Sequence, residues 1–180
     1  TAERLKAMMS KVPDDKLLIL DMANEYNALF WKIDYSWQMY EGFFGKQWIY
    51  SFIPNMGGKV PLNGDLNFYA RAPKEVLDYS KKENMVGFGF APEGIENNEV
   101  IYELLTDWGW RKDVIDLDQW LEMYSNARCG GFPPKMKKAW NLLEQSCFGL
   151  FTDHPRFKYQ FRPGSGNTSV YKSEEFNEAV

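Results

Sequence analysis

Three short apolar runs in the first half of the chain determine its predicted architecture. They cover residues 16–23, 47–53 and 85–90, and polar or turn-forming residues bound each of them. Continuous apolar runs of this length are typical of strands that are buried on both faces of a parallel sheet. Their starts lie roughly 30 to 40 residues apart, which is about the size of a βα unit. The pattern therefore predicts three neighbouring parallel strands joined by crossover segments.

The segments between these strands are less regular. Residues 65–82 have a helical pattern that Pro73 is expected to interrupt, starting a second helix at its first turn. Residues 27–45 are rich in aromatic side chains that alternate with polar ones. Their polar neighbours also allow a helix or a long loop, so this segment stays unassigned.

The second half of the chain has no strand-like runs. Apolar side chains recur at spacings of three and four, which is typical of amphipathic helices. The predicted helices cover residues 98–108, 116–128 and 134–148. A boundary near residues 105–115 therefore separates an α/β domain, residues 1–108, from the start of an all-α domain, residues 109–180.

The predicted strand ends carry the candidate chemistry. Asn24 and Glu25 follow the first strand, Asn55 follows the second, and Glu93 follows the third between Pro92 and Gly94. A carboxylate just past the carboxyl end of a strand is where a β/α barrel keeps its catalytic groups. The alternative is a solvated Glu in an ordinary βα loop, because Ala-Pro-Glu-Gly is too short to be specific. Three strands cannot close a barrel, which needs eight strands.

Composition narrows the possible partners. The net charge is −4 and charged residues make up 26% of the chain, which argues against a nucleic-acid or anionic-membrane partner. Aromatic residues make up 17%, and the surplus beyond a core also suits a sugar-binding cleft. No apolar run approaches membrane-spanning length. The chain starts at Thr1 without a signal peptide, so we expect a piece of a larger mature protein.

Metal and thiol chemistry have weak support. His154 is the only histidine, which excludes a multi-histidine site within this chain, and Cys129 and Cys147 fit two buried free thiols better than a bridge. The acidic residues near 113–118 look like a calcium cluster but are better explained as caps and first-turn charges of the helix that holds Trp120.

A longer motif carries a family resemblance. Residues 85–111, MVGFGFAPEGIENNEVIYELLTDWGWR, resemble the signature of the alpha-N-acetylglucosaminidase family of glycoside hydrolases. Residues 14–25, residues 48–58 (WIYSFIPNMGG) and the helical segments around Trp120 and Trp140 resemble the family in the same order. The resemblance covers nearly the whole chain.

The resemblance implies a retaining exo-glycosidase that acts on terminal alpha-linked N-acetylglucosamine in glycans and needs no metal or organic cofactor. It implies the carboxyl-terminal part of a (β/α)8 TIM barrel followed by the beginning of an all-α domain. The nucleophile of the family maps onto Glu93. The expected substrate-binding residues are Trp48, Tyr50, Asn55 and Glu25. The parent protein is expected to be exported, and therefore secreted, periplasmic or lysosomal.

The sequence also departs from the family. Tyr50, Ser51 and Pro54 stand where the family has Trp, Cys and His, while Met56 and Lys59 depart from its Asn-aromatic-Gly-Gly-Asn pattern. A non-catalytic carbohydrate-binding relative is therefore the alternative function. A helical interaction domain without sugar chemistry is a third possibility that the strand-and-turn units disfavour.

A retaining glycosidase needs two carboxyl groups about 5–5.5 Å apart, one of which attacks while the other donates a proton. By the resemblance the proton donor lies upstream of Thr1. Glu25 also follows an Asn at a strand end, which makes it an alternative candidate for the proton donor. The preferred interpretation is that Glu25 lines the cleft or holds a neighbouring loop.

Overall fold

The fold is described from a computed structural model that covers residues 1–56, 64–93, 98–150 and 178–179. It contains six α-helices and five strands within these residues. In chain order they are α1 Ala2–Met9, β1 Leu18–Asp21, α2 Ser36–Met39, β2 Gln47–Phe52, β3 Gly64–Asp65, α3 Leu66–Leu77, β4 Met85–Phe90, α4 Glu99–Asp107, α5 Leu117–Cys129, α6 Pro134–Gln145 and β5 Gly149–Leu150.

The three apolar runs form one parallel sheet in the order β1-β2-β4. The register pairs Leu18 with Gln47 and Tyr50 with Phe88, and it shifts between Trp48 and Ile49. The prediction of three neighbouring parallel strands is confirmed. The remaining two strands, β3 and β5, are two residues long and pair antiparallel to each other in a separate ribbon.

One face of the parallel sheet packs against helices, while the other face is partly open among the described residues. Trp48, Tyr50 and Phe52 point into the core, and Phe52 meets the rings of Phe68 and Tyr69 on α3. On the other face Leu18 and Leu20 are 49% and 57% exposed. The expectation of strands buried on both faces is therefore wrong for β1, whose Leu18 and Leu20 are exposed. Side chains on the inner face of a barrel are covered by the opposite strands, and three strands leave that face open.

The unassigned segment before β2 consists of tight helical turns. Tyr26–Trp31 forms a π-helical turn, and α2 adds a single α-helical turn. Left-handed backbone at Lys32 follows the first of these turns, and left-handed backbone at Phe43 and Phe44 follows the second. The alternating aromatic pattern here therefore does not make a strand.

Pro73 lies inside α3 without breaking it, which corrects the predicted interruption. In an unbroken helix the carbonyl of Tyr69 would accept the N–H of residue 73, which proline lacks. Trp108 supplies the missing donor, since its indole Nε1 lies 2.9 Å from the Tyr69 oxygen in a buried position. The next carbonyl, that of Ala70, accepts the N–H of Ile115 at 3.1 Å. The segment that follows α4 thus supplies the hydrogen-bond donors to the two carbonyl groups beside Pro73.

Replacing Trp108 by Phe should destabilise the protein measurably. The variant keeps an aromatic ring but leaves the Tyr69 carbonyl buried without its donor, a loss of about 1–3 kcal/mol. Chemical denaturation of the full-length parent protein should show this loss of stability as a lower denaturant concentration at the unfolding midpoint. Trp110→Phe is the matched control, because Trp110 is 91% exposed and should tolerate the change. An unchanged midpoint for Trp108→Phe would contradict the assigned role of the indole.

The three predicted helices of the second half are present as α4, α5 and α6, while β5 adds a two-residue strand among the described residues. Asp116 caps α5 by accepting the N–H of Gln119 at 3.1 Å, and Gly130 ends that helix in left-handed geometry with φ 75°. The interpretation of Asp116 as a helix cap is confirmed. Within the described residues no group of three or more His, Cys, Asp or Glu side chains could hold a metal ion.

The helical half and the sheet share one apolar core. Ile115, Leu117, Trp120 and Leu121 belong to the same buried cluster as Trp48. The boundary between residues 108 and 109 therefore stays a prediction from sequence.

Both cysteines are free, with Cys147 buried and Cys129 exposed rather than buried as expected. No helix in the described part of the chain is long and apolar enough to span a bilayer.

Candidate active site

The carboxyl ends of β1, β2 and β4 lie side by side, because the three strands are parallel neighbours. Asn24 and Glu25 follow β1, Asn55 follows β2, and Glu93 follows β4. The polar residues that the sequence placed at three strand ends are therefore brought to one edge of the sheet. This is the edge at which β/α folds bind and transform their ligands.

The turn after β1 is strained. Ala23 has φ 63°, a left-handed conformation that costs a non-glycine residue roughly 1–2 kcal/mol. Its carbonyl accepts the N–H groups of Tyr26 and Asn27 at 3.0 and 3.1 Å. The reversal turns the chain back under the sheet edge, and Asn24 and Glu25 are both 0% exposed.

Asn24 and Glu25 hold the end of β2. The Asn24 side-chain amide donates to the carbonyls of Asp21 at 2.7 Å and Ser51 at 3.0 Å, which ties β1 to β2. The Glu25 carboxyl oxygen Oε1 accepts the backbone N–H of Ile53 at 2.6 Å. The role of Asn24 was missed from the sequence. The only signal for it is the position of a short amide side chain directly after a strand.

Asn55 in turn holds the turn that carries Glu93. Its Oδ1 accepts the backbone N–H of Glu93 at 2.8 Å, and Asn55 is 3% exposed. The N–H of Ala91 donates to the Phe52 carbonyl at 2.9 Å and extends the β2–β4 pairing past β4. Glu93 itself is exposed. Its backbone is thus fixed from β2, while its side chain lies at the surface of the sheet edge.

Two buried carboxyls beneath this edge hold protons unusually well. Burial raises the pKa of Glu25 to about 8, against the lowering effect of hydrogen bonds from the backbone at Glu25 and Ile53. Burial likewise raises the pKa of Asp21 to about 7, opposed by the hydrogen bond from Asn24. Among the described residues, Oε2 of Glu25 has no hydrogen-bond partner. Glu25 is therefore mainly neutral at pH 7.

The structure places Trp48 and Tyr50 away from the edge, in the core between sheet and helices. Trp48 is 0% and Tyr50 1% exposed, and Tyr50 packs edge-on against the rings of Phe52 and Phe88. This differs from the expectation that both contact substrate. Successive side chains of a strand face opposite ways, and these two point toward the helices. Glu25 is also enclosed, so the expected substrate contact is replaced by a contact with the β2 backbone.

Of the residues that depart from the family pattern, Ser51 and Pro54 are buried like Tyr50, and Met56 is half-buried. Lys59 and Gly94 lie outside the described residues, as does His154. The loop that contains Glu93 is thus described up to residue 93 and again from residue 98.

A groove of about 590 Å³ runs along the outer side of β4 and α4. Its aromatic wall is Phe90 stacked on Tyr102, with ring centres 5.0 Å apart. Arg128 lies across it and pairs with Glu103 at 2.7 Å and Glu99 at 3.3 Å. Asn55 and Glu93 are not among the described residues that line it. The groove nevertheless reaches the carboxyl end of β4 at Phe90 and Pro92, beside Glu93.

Comparison with known proteins identifies the family. The family described as the alpha-N-acetylglucosaminidase tim-barrel domain matches residues 1–112, which is more than half of the chain. This chain belongs to the alpha-N-acetylglucosaminidase family of glycoside hydrolases. It is 32% identical over 174 residues to human alpha-N-acetylglucosaminidase, covering 93% of this chain and 22% of the human protein.

Solved structures of the family have the same fold. A family 89 glycoside hydrolase from Clostridium perfringens, in complex with 2-acetamido-1,2-dideoxynojirmycin, matches 93% of this chain and 19% of its own at 28% identity and TM-score 0.72. A variant of the Clostridium perfringens enzyme, in complex with its substrate GlcNAc-alpha-1,4-galactose, matches 96% of this chain and 20% of its own at 26% identity and TM-score 0.74. The resemblance noted from sequence is confirmed, and so is the α/β fold. This chain spans about a fifth of these relatives.

Proposed function

We propose that the parent protein of this chain is a retaining exo-glycosidase that removes terminal alpha-linked N-acetylglucosamine from glycans, with Glu93 as its nucleophile. The observation that carries the proposal is the exposed Glu93 at the carboxyl edge of the parallel sheet, with its backbone fixed by Asn55. Family membership supports the substrate class, since the solved bacterial relative binds GlcNAc-alpha-1,4-galactose as its substrate.

The chemistry assigned to Glu93 is a double displacement. Its carboxylate attacks the anomeric carbon, the bond to the leaving oxygen breaks, and that oxygen takes a proton from a second carboxyl group. Water then attacks the same carbon, gives its proton to the second carboxylate and releases Glu93. The bacterial relative solved with its substrate carries two Glu-to-Gln substitutions, which suits a mechanism with two carboxyls. We infer that the second carboxyl belongs to a barrel strand upstream of Thr1.

We further infer that the chain is the carboxyl-terminal part of a (β/α)8 barrel followed by the beginning of an all-α domain, divided near residue 108. Support comes from the parallel order β1-β2-β4 with an open inner face, and from three consecutive helices after Asn98. The remaining strands of the parent would cover Leu18 and Leu20.

The proposal predicts a stereochemical outcome for the full-length parent protein. With an aryl alpha-N-acetylglucosaminide, proton NMR during the first minutes should detect the alpha anomer of free N-acetylglucosamine before mutarotation. The matching alpha-glucoside without the acetamido group serves as control and should turn over much more slowly. Initial release of the beta anomer would contradict a nucleophilic Glu93. Binding of the sugar without turnover would favour the non-catalytic relative instead.

A further inference from the structure

Glu25 lies at the candidate active edge but is closed off from any substrate. It is 0% exposed although the sheet beside it is open, with Leu20 at 57% exposure. Additional strands of a barrel would cover more of this surface and uncover none of it. A sugar bound at the edge therefore cannot touch the Glu25 carboxyl, and any effect of Glu25 on the reaction must pass through other residues.

Two hydrogen bonds connect Glu25 to Glu93. The first joins Glu25 Oε1 to the N–H of Ile53, the residue directly after β2, at 2.6 Å. The second joins Asn55 Oδ1 to the N–H of Glu93 at 2.8 Å. Between them stands only Pro54, whose ring fixes φ near −65° and stiffens the segment. A shift of the Ile53 backbone would therefore move Asn55, and with it the peptide of Glu93.

We propose that Glu25 is a positioning residue, which sets the end of β2 through Ile53 and thereby places the Glu93 carboxylate for attack through Asn55. The inference rests on the proposed function of Glu93 as nucleophile. Small displacements suffice for a large effect, because a misplacement of about 1 Å in the reacting geometry can cost roughly 100-fold in rate.

The surroundings of Glu25 define which substitution preserves the contact. The phenols of Tyr50 on β2 and Tyr69 on α3 both interact electrostatically with Glu25, and burial raises the pKa of each well above the ordinary value. Among the described residues no cation contributes to the raised pKa of Glu25. A neutral glutamine offers the same Oε1 acceptor to Ile53 and has nearly the same volume as a protonated glutamic acid. Glu25→Gln should therefore preserve the contact, and Glu25→Ala should remove it.

The test compares these variants in the full-length parent protein. With an aryl alpha-N-acetylglucosaminide we expect Glu25→Ala to lower kcat about 10- to 100-fold while KM changes less than about threefold. Glu25→Gln should keep kcat within about fivefold. Asn55→Ala should also lower kcat, and the double Ala variant should lose little beyond the larger single effect, because both act along one path. Glu122→Ala, an exposed residue of α5, is the control for an unrelated glutamate.

Hydrogen exchange provides a readout that does not need turnover. In peptides covering residues 52–56 and 88–93, Glu25→Ala should speed exchange at both strand ends, and Glu25→Gln should not. Full kcat with unchanged exchange in a folded Glu25→Ala protein would overturn the proposal. A folded Glu25→Gln protein as inactive as Glu93→Gln would also overturn it, because that result assigns Glu25 to the chemistry itself. If the wild-type parent does not hydrolyse the glycoside, the proposed function fails, and the exchange result alone decides whether Glu25 positions this edge.

Discussion

Glu93→Gln in the full-length parent protein is expected to lower kcat for an aryl alpha-N-acetylglucosaminide by about 10⁴-fold or more. Glutamine keeps the shape of the side chain but cannot form the ester with the anomeric carbon. The Glu93 backbone N–H, which donates to Asn55 at 2.8 Å, is untouched by the change. Sugar binding and the unfolding temperature should therefore stay close to those of the wild type. Steady-state kinetics, sugar-binding titration and thermal unfolding measure the three quantities.

A variant with a smaller side chain at position 93 distinguishes loss of the nucleophile from loss of the sugar-binding site. Glu93→Gly opens space for azide, which can attack the anomeric carbon in place of the carboxylate. We expect added azide to restore part of the turnover and to give the beta-glycosyl azide, since the attack comes from the face opposite the leaving aryl group. Glu122→Gln is the exposed control and should keep normal activity without azide. Near-normal turnover by Glu93→Gln would make the assignment of Glu93 wrong.

The second large effect is a loss of stability as pH rises, caused by the buried carboxyls of Glu25 and Asp21. Their folded-state pKa values, about 8 and about 7, lie above the ordinary values of 4.5 and 3.8. The folded state therefore holds protons that the unfolded state has already lost. The stabilisation is fully present below about pH 4 and is lost as pH rises through about 8, amounting to several kcal/mol for Glu25.

Thermal unfolding of the parent between pH 5 and pH 9 tests this effect in wild type and Glu25→Gln. The variant cannot ionise, so its Tm should fall less with pH than the Tm of the wild type. We expect the wild type to lose more Tm than the variant between pH 5 and pH 9. Asp21→Asn should shift the curve in the same direction, with its main change nearer pH 7. A Tm difference between wild type and Glu25→Gln that does not depend on pH would contradict the protonated, buried Glu25.

The strands were predictable because their signal is local. The apolar runs before Asn24, Asn55 and Glu93 each produced a strand, and their parallel order then placed all three strand ends together. The continuous helix through Pro73 was not predictable, because Trp108, 39 residues from Tyr69 in sequence, supplies the missing donor. No pattern around Pro73 itself contains that information.

The candidate site was predictable in its residues but not in their orientation. Asn55 and Glu93 are joined as neighbours at the edge. Trp48 and Tyr50 lie in the core and not at the edge. Their orientation could not be predicted, because the two-residue period of a strand defines two faces without indicating which face meets the helices. Glu25 turns inward because Ala23 adopts a left-handed conformation, which alanine itself does not favour. Backbone reversals of this kind leave no residue signature when the position is not occupied by glycine or asparagine.

Covalent trapping tests the central claim most directly. The full-length parent protein would be incubated with a 5-fluoro-N-acetylglucosaminyl fluoride of alpha configuration, digested, and examined by mass spectrometry. Loss of fluoride with formation of an ester is predicted to leave one sugar per protein, on the peptide that contains Glu93. A protein that turns the reagent over but carries the sugar on a different carboxylate would contradict the account.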